Sequence, residues 1–292
     1  MAPLTRARAS NRDLLPGDRH AEYYAQRASA GLVISEGVWI SRDAIGRHDV
    51  PGLFTDEQVA HWKQVTDAVH RSGGVIFAQL WHTGSASHPG FFDGRPPLAP
   101  SAVSPRLPAP TAAGGKATVE PLAMSEHDIR QTVADFATAA RNAMRAGFDG
   151  AQLQAGFTYL ISQFLNPRTN VRTDRCGGSI AHRARFLFEI IEAIGVHVDL
   201  RRVGVKAGPA WAETGAFVAG SESLADDLAD LVAYGQAFIA NPDLPDRFAD
   251  HAPLNEPKPD LFYGPDAAGY TDFPQRERER TRGLPRGGEG SH

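Results

Sequence analysis

Gln154, Phe157 and Tyr159 place an amide, an apolar ring and a phenol within six residues, inside the stretch GFDGAQLQAGFTYLISQFLNPRTNVRTDRCGGS from Gly147 to Ser179. The Gln154 amide can donate a hydrogen bond to a ligand, Phe157 can donate none, and the Tyr159 hydroxyl can donate or accept. Each also has an ordinary reading: Gln154 as polar lining, Phe157 as filler, Tyr159 as a packing tyrosine. His82 and His88, in LWHTGSASHP, invite a metal reading. No acidic residue stands at ligand spacing from them, so no metal is expected. Cys176 and His182 are expected to pack a loop rather than to form a nucleophilic pair.

The elements that must hold these residues show in the hydrophobic pattern. The chain has 292 residues, a net charge of −4 and 42% hydrophobic residues, enough for one large domain. No basic stripe speaks for nucleic acid and no apolar run approaches a membrane span. MAPLTRARASNRD lacks the apolar core of a signal peptide. Cys176 is the only cysteine, so no intrachain disulfide can form and a reducing cytoplasm is the expected location. GLVISEGVWI (31–40) and GGVIFAQLW (73–81) read as buried parallel strands. Thr55 with Gln58 forms a capping box before a helical face of Val59, Trp62, Val65, Thr66 and Val69. Ser125 with Asp128 opens a second helix, with the stripe Ile129, Val133, Phe136 and Ala140. DGAQLQ follows as a strand, 185–194 as a helix and RRVGVKAGP as a strand. This βαβα rhythm predicts an α/β fold with a parallel sheet covered on both faces. Residues 104–122, rich in Pro, Ala and Gly, read as a long excursion. The domain is expected over 1–275 and a disordered tail over 276–292.

From APLTR to GYTDFP the chain resembles the Old Yellow Enzyme family, the FMN-dependent ene-reductases. The landmarks are YYAQRASAGLVISEG, PGLFTDEQVAHWK, FAQLWHTGSASHP, LAPSAV, the stretch quoted above, GGSIAHRARF, LVAYGQAFIANPDLPDRF and LFYGPDAAGYTDFP. The resemblance implies a TIM barrel of the (β/α)8 type, with FMN across the C-terminal ends of the strands and NAD(P)H as reductant. It also implies roles. Thr5 would bond near flavin O4 with Pro3 and Leu4 beside it. Gly37 would let its strand approach the ring, and Gln79 would bond the pyrimidine edge. Lys206 would supply the cation that stabilises reduced flavin. Ala219 and Gly220 resemble the phosphate-binding loop, and Gln236 stands at the family's phosphate-anchoring Arg. Phe262 and Tyr263 would close over flavin and substrate. Hydride would pass from flavin to the β-carbon of an activated alkene, and Tyr159 would protonate the α-carbon.

The departures from the family lie at chemistry-bearing positions. Gln154 replaces the His, and Phe157 the Asn or His, that together grip the substrate carbonyl. Losing one such donor costs about 10²–10³ in rate. Only five residues separate Pro209 from Gly215, whereas a parallel crossover needs about a dozen. The sixth strand unit is therefore expected to be missing, and so is the start of the first strand, because the family extends upstream of APLTR. Seven strands then pinch together, or an edge stays open, or a second copy covers it as a homo-oligomer. The rival readings are a repurposed non-redox barrel, with Phe157, Tyr159, Trp81 and Tyr263 walling a hydrophobic-ligand pocket, and a non-functional deleted gene product.

Overall fold

The computed structural model of the chain describes residues 1–207 and 233–276. The Pro209–Gly215 link, Ala219, Gly220 and residues 277–292 lie outside them. Helix α1 (Asp18–Ala25) precedes β1 (Val33–Trp39), and α2 (Asp56–Arg71) leads into β2 (Ile76–Trp81). An excursion follows: β3 (Leu98–Ala99) pairs in parallel with β6 (Leu122–Ala123), and β4 (Pro108–Thr111) pairs antiparallel with β5 (Gly114–Ala117). Then come α3 (Glu126–Arg145), β7 (Gly150–Ala155), α4 (Leu160–Leu165), α5 (Ile180–Gly195) and β8 (Val203–Ala207). Two short helices, Gln236–Ala240 and Leu244–Ala249, complete the described elements near the C-terminus. No described helix is long and apolar enough to cross a membrane.

Both expected capping boxes form. Gln58 N donates to Thr55 Oγ1 at 3.2 Å while Thr55 N donates to Gln58 Oε1 at 3.2 Å. The pair Ser125 and Asp128 does the same for α3. Both helices then bury the faces their periodicity marks, Val59, Trp62, Val65 and Val69 on α2 and Ile129, Phe136 and Ala140 on α3. Val133 stays half-buried.

The central sheet is parallel, in the order β1-β2-β7-β8. Side chains alternate between its faces. Val38, Leu80 and Leu153 lie in one row and are fully buried. The other face differs in chemistry. Gly37, Gln79, Gln152 and Gly204 form one row across the four strands. One layer further along, Trp39 pairs with Trp81 and Gln154 with Lys206. A register shift between Ile34 and Gly37 marks a bulge at Ser35 and Glu36.

The N-terminal residues lie at the edge of β1. Ile34 N donates to Met1 O at 3.1 Å on one side, and Ala2 N donates to Tyr234 O at 2.8 Å on the other. The N-terminal residues thus join β1 to the segment entering the Gln236 helix. A buried cluster locks this seam. Arg6 Nη2 donates to Gly269 O at 2.5 Å, and Arg8 donates to the carbonyls of Leu261, Phe262, Asp266 and Ala268. Arg27 donates to Phe238 O and Ile239 O while lying 3.8 Å over the Tyr23 ring. Within the same cluster, the Glu36 carboxylate accepts the backbone N–H groups of Arg6 and Ala7 at 3.0 and 3.2 Å.

The 104–122 excursion contains the β4–β5 hairpin, closed by Thr111 Oγ1 donating to Gly114 O at 2.7 Å. Arg276 is tied to the fold as well: its N donates to Asp243 Oδ2 at 2.8 Å and its side chain pairs with Asp250.

Candidate functional site

The polar face of the sheet gathers the sequence-marked residues at the C-terminal ends of the strands, where barrels of parallel strands place their chemistry. Gln79 is 4% exposed and donates from Nε2 to Gln152 Oε1 at 2.8 Å, which leaves its Oε1 as an acceptor without a partner among the described residues. The residues that follow Leu80 and Leu153 are Trp81 and Gln154, and Gln154 pairs with Lys206. Gln154 Oε1 accepts from Gly156 N at 3.3 Å, which leaves Nε2 without a partner among the described residues. Lys206 is exposed by area, yet the surrounding protein lowers its ammonium pKa through desolvation.

Aromatic rings wall this face. Trp81 stacks on Trp39 at 4.5 Å, and Tyr159 meets Trp81 edge-on at 4.8 Å. Phe157 tilts against Tyr159 at 5.1 Å and is 54% exposed. Tyr159 is the N-cap residue of α4. Burial raises its phenol to about 12, against the lowering charge of Arg47 and with a raising contribution from Tyr263. Around it, Trp81 Nε1, His82 Nε2 and Thr158 Oγ1 are buried without a hydrogen-bond partner among the described residues.

Other marked residues stand apart from that face or serve it indirectly. A Cβ on Gly37 would lie 2.4 Å from the Trp81 ring, so this glycine makes room for the indole. Leu4 and Phe262 pack together on Ile239, Ala240 and Phe273, with Pro3 and Thr5 half-buried beside them. Gln236 is the exposed first residue of its short helix. Tyr263 is 51% exposed and lies under the Arg47 guanidinium.

His82 does not behave as a ligand. Its Nδ1 accepts from Gly84 N at 3.0 Å, and burial lowers its pKa to about 3, so the ring is neutral. Among the described residues no group of three His, Cys, Asp or Glu side chains could hold a metal ion. Cys176 is buried and free, and burial raises its thiol. A cleft of about 1150 Å³ lies elsewhere, lined by residues such as Gln26, Ala30, Gly73, Asp243 and Asp250. It sits at the opposite ends of β1 and β2 from Tyr159, away from the convergent polar groups. Sequence reasoning missed Gln152 and Arg47. Gln152 was available from period two, since a strand that points Gln154 inward points Gln152 inward as well. Arg47 lies in a loop, and only the tertiary fold brings it to Tyr159.

Residues 1–212 match the NADH:flavin oxidoreductase / NADH oxidase family. The chain belongs to that family, and its architecture is the α/β barrel of Old Yellow Enzyme type. The solved structure of morphinone reductase superposes with a TM-score of 0.88 at 37% identity, covering 97% of this chain and 93% of that one. The old yellow enzyme homologue from Zymomonas mobilis gives 0.86 at 33% identity, covering 94% of each chain. Flavin oxidoreductase hxnT of Emericella nidulans is 34% identical over 359 positions, covering 94% of this chain and 92% of its own. 12-Oxophytodienoate reductase 2 of Arabidopsis thaliana is 34% identical, covering 95% and 91%. The hxnT alignment is longer than the 292-residue chain, so that relative carries residues with no counterpart here, as the short Pro209–Gly215 link leads one to expect.

Proposed function

We propose that this chain is an FMN-dependent, NAD(P)H-driven reductase of activated carbon–carbon double bonds. The carrying observation is the pair of facing rows, Gln79 with Gln152 and Gln154 with Lys206, roofed by Trp81 and Tyr159. The ring end of a flavin suits that donor set. Gln79 Oε1 would accept from the pyrimidine edge, and Lys206 would hold positive charge beside it. The chemistry FMN supplies when bound is hydride delivery to a polarised double bond.

The chain's own groups would do the rest. Gln154 Nε2 would donate to the acceptor carbonyl and draw charge towards it. Tyr159, with its pKa near 12, keeps its proton across the working pH range and would release it only to a developing carbanion. Trp81 and Phe157 would flank the acceptor and exclude water. An activated alkene is the expected substrate.

The test begins with the visible spectrum of the purified chain after adding FMN and desalting. A retained flavin that NADPH bleaches and an enone recolours supports the reading. In Tyr159→Phe, recolouring by the enone should slow by about 10²–10⁴, far more than bleaching does. A colourless protein that stays folded would overturn the redox assignment and favour a repurposed pocket.

A further inference from the structure

Arg47 stands out among the arginines near the folded core. Arg6, Arg8 and Arg27 are committed to backbone carbonyls. Arg47 donates no hydrogen bond to any described residue, and its Nε is buried without a partner. No described carboxylate pairs with it: its neighbour Asp49 is engaged by His48 at 2.8 Å, and Asp43 by Arg95. The guanidinium is nevertheless fixed, lying 4.1 Å over the Tyr263 ring. Its charge also reaches the Tyr159 hydroxyl. Tyr159 in turn touches both Trp81 and Phe157. A cation whose N–H donors meet no described acceptor thus hangs at the wall of the candidate pocket.

We propose that Arg47 is a specificity-determining residue that binds a carboxylate on the substrate, so that the preferred acceptor is an activated alkene bearing an anionic group. This rests on the reductase reading above. A guanidinium fork matches a carboxylate with two parallel hydrogen bonds, and stacking on Tyr263 orders the fork in advance. The carboxylate is unchanged by the reaction. NAD(P)H supplies two electrons as hydride, one proton is added, the π bond breaks and two C–H bonds form. A second anchor also compensates for Phe157, because an acceptor held at its far end needs less grip at the carbonyl.

The test compares trans-4-oxo-2-pentenoate with its methyl ester, which share one reacting enone and differ in charge. With the FMN-loaded full chain, KM for the acid should lie about 10–100-fold below that for the ester. The preference should collapse towards unity in Arg47→Met and return in part in Arg47→Lys. Equal constants for acid and ester in the native chain would overturn the proposal, as would an Arg47→Met variant that weakens both alike. A second readout separates this proposal from its parent. Binding of 4-oxopentanoate to the oxidised protein, followed by calorimetry, needs no turnover. Arg47-dependent binding without reduction of either compound would keep the anion site and overturn the reductase reading. Reduction of the ester without any preference for the acid would do the reverse.

Discussion

Phe157 carries an apolar ring at a backbone position in the left-handed region, with φ of 58°. Bulky residues are rare there, whereas asparagine tolerates that region well. On the reading proposed above, the same residue stands where the family carries a carbonyl-gripping donor. Phe157→Asn should therefore act twice. It relieves the local strain, so Tm should be no lower than that of the native chain. It also restores a donor, so kcat/KM for a neutral enone should rise by about 10²–10³. A fall in both would show that the exposed ring has a packing partner worth more than the strain. At this scale Gln154 and Tyr159 were readable from the motif around them, because a strand followed by a tight turn fixes their positions. Arg47 was not. Its partners Tyr159 and Tyr263 lie more than a hundred residues away in sequence, and no local pattern announces such a meeting.

Strand β1 is built to receive the indole of its neighbour. The bulge at Ser35 and Glu36 restarts the alternation, and Gly37 then presents a bare backbone to the face of Trp81. Adding one methyl group there would place it 2.4 Å from a ring carbon. Gly37→Ala should push Trp81 towards Tyr159 at a cost of about 1–3 kcal/mol. The expected readouts are a lower melting temperature and weaker FMN retention on desalting. Unchanged retention would show that the indole position is unimportant to the cofactor. The helices flanking this sheet were legible because their starts are chemical: a hydroxyl and its partner three residues on. The β4–β5 hairpin was hidden for an equally physical reason. Pro108 and Pro110 alternate on one strand, and Gly114 and Gly115 open the other, so neither has the composition of a strand. The short α4 escaped notice because six residues show barely two turns of periodicity.

Taken whole, the barrel is held together by a buried ionic and aromatic cluster that joins its N-terminal segment to residues 261–270. Tyr23 stacks on Tyr270 at 4.1 Å, with Arg6, Arg8 and Arg27 over their rings. Burial pushes the Glu36 carboxyl up to about 7 from its ordinary 4.5, opposed by the Arg6 and Ala7 backbone N–H groups and by the Arg6 and Arg8 charges. Burial, with Arg8 adding to it, pushes His20 down to about 3 from 6.5. Between pH 4.5 and 7 the unfolded chain has released the Glu36 proton that the folded chain keeps, so Glu36 lowers stability as pH rises through that window. His20 acts in the opposite sense, since below pH 6.5 the unfolded chain takes up a proton that the folded chain refuses. In Glu36→Gln the first effect disappears and the second remains. The melting temperature of the variant, relative to the native chain, should climb from pH 4.5 to 7 and then level off. A difference that stays flat with pH would show that the carboxyl is already ionised in the fold. The barrel fold and its family were legible because their landmarks run in order along the chain, whereas this seam joins residues over 250 positions apart and leaves no periodic trace. The seam also sets a timetable. Arg6 and Arg8 leave the ribosome first, yet the carbonyls that accept their N–H groups belong to residues 261–269, which leave late. At about 5–20 residues per second of synthesis, those guanidiniums wait in water for tens of seconds. The seam therefore cannot close on the nascent chain until residues 261–269 have been made.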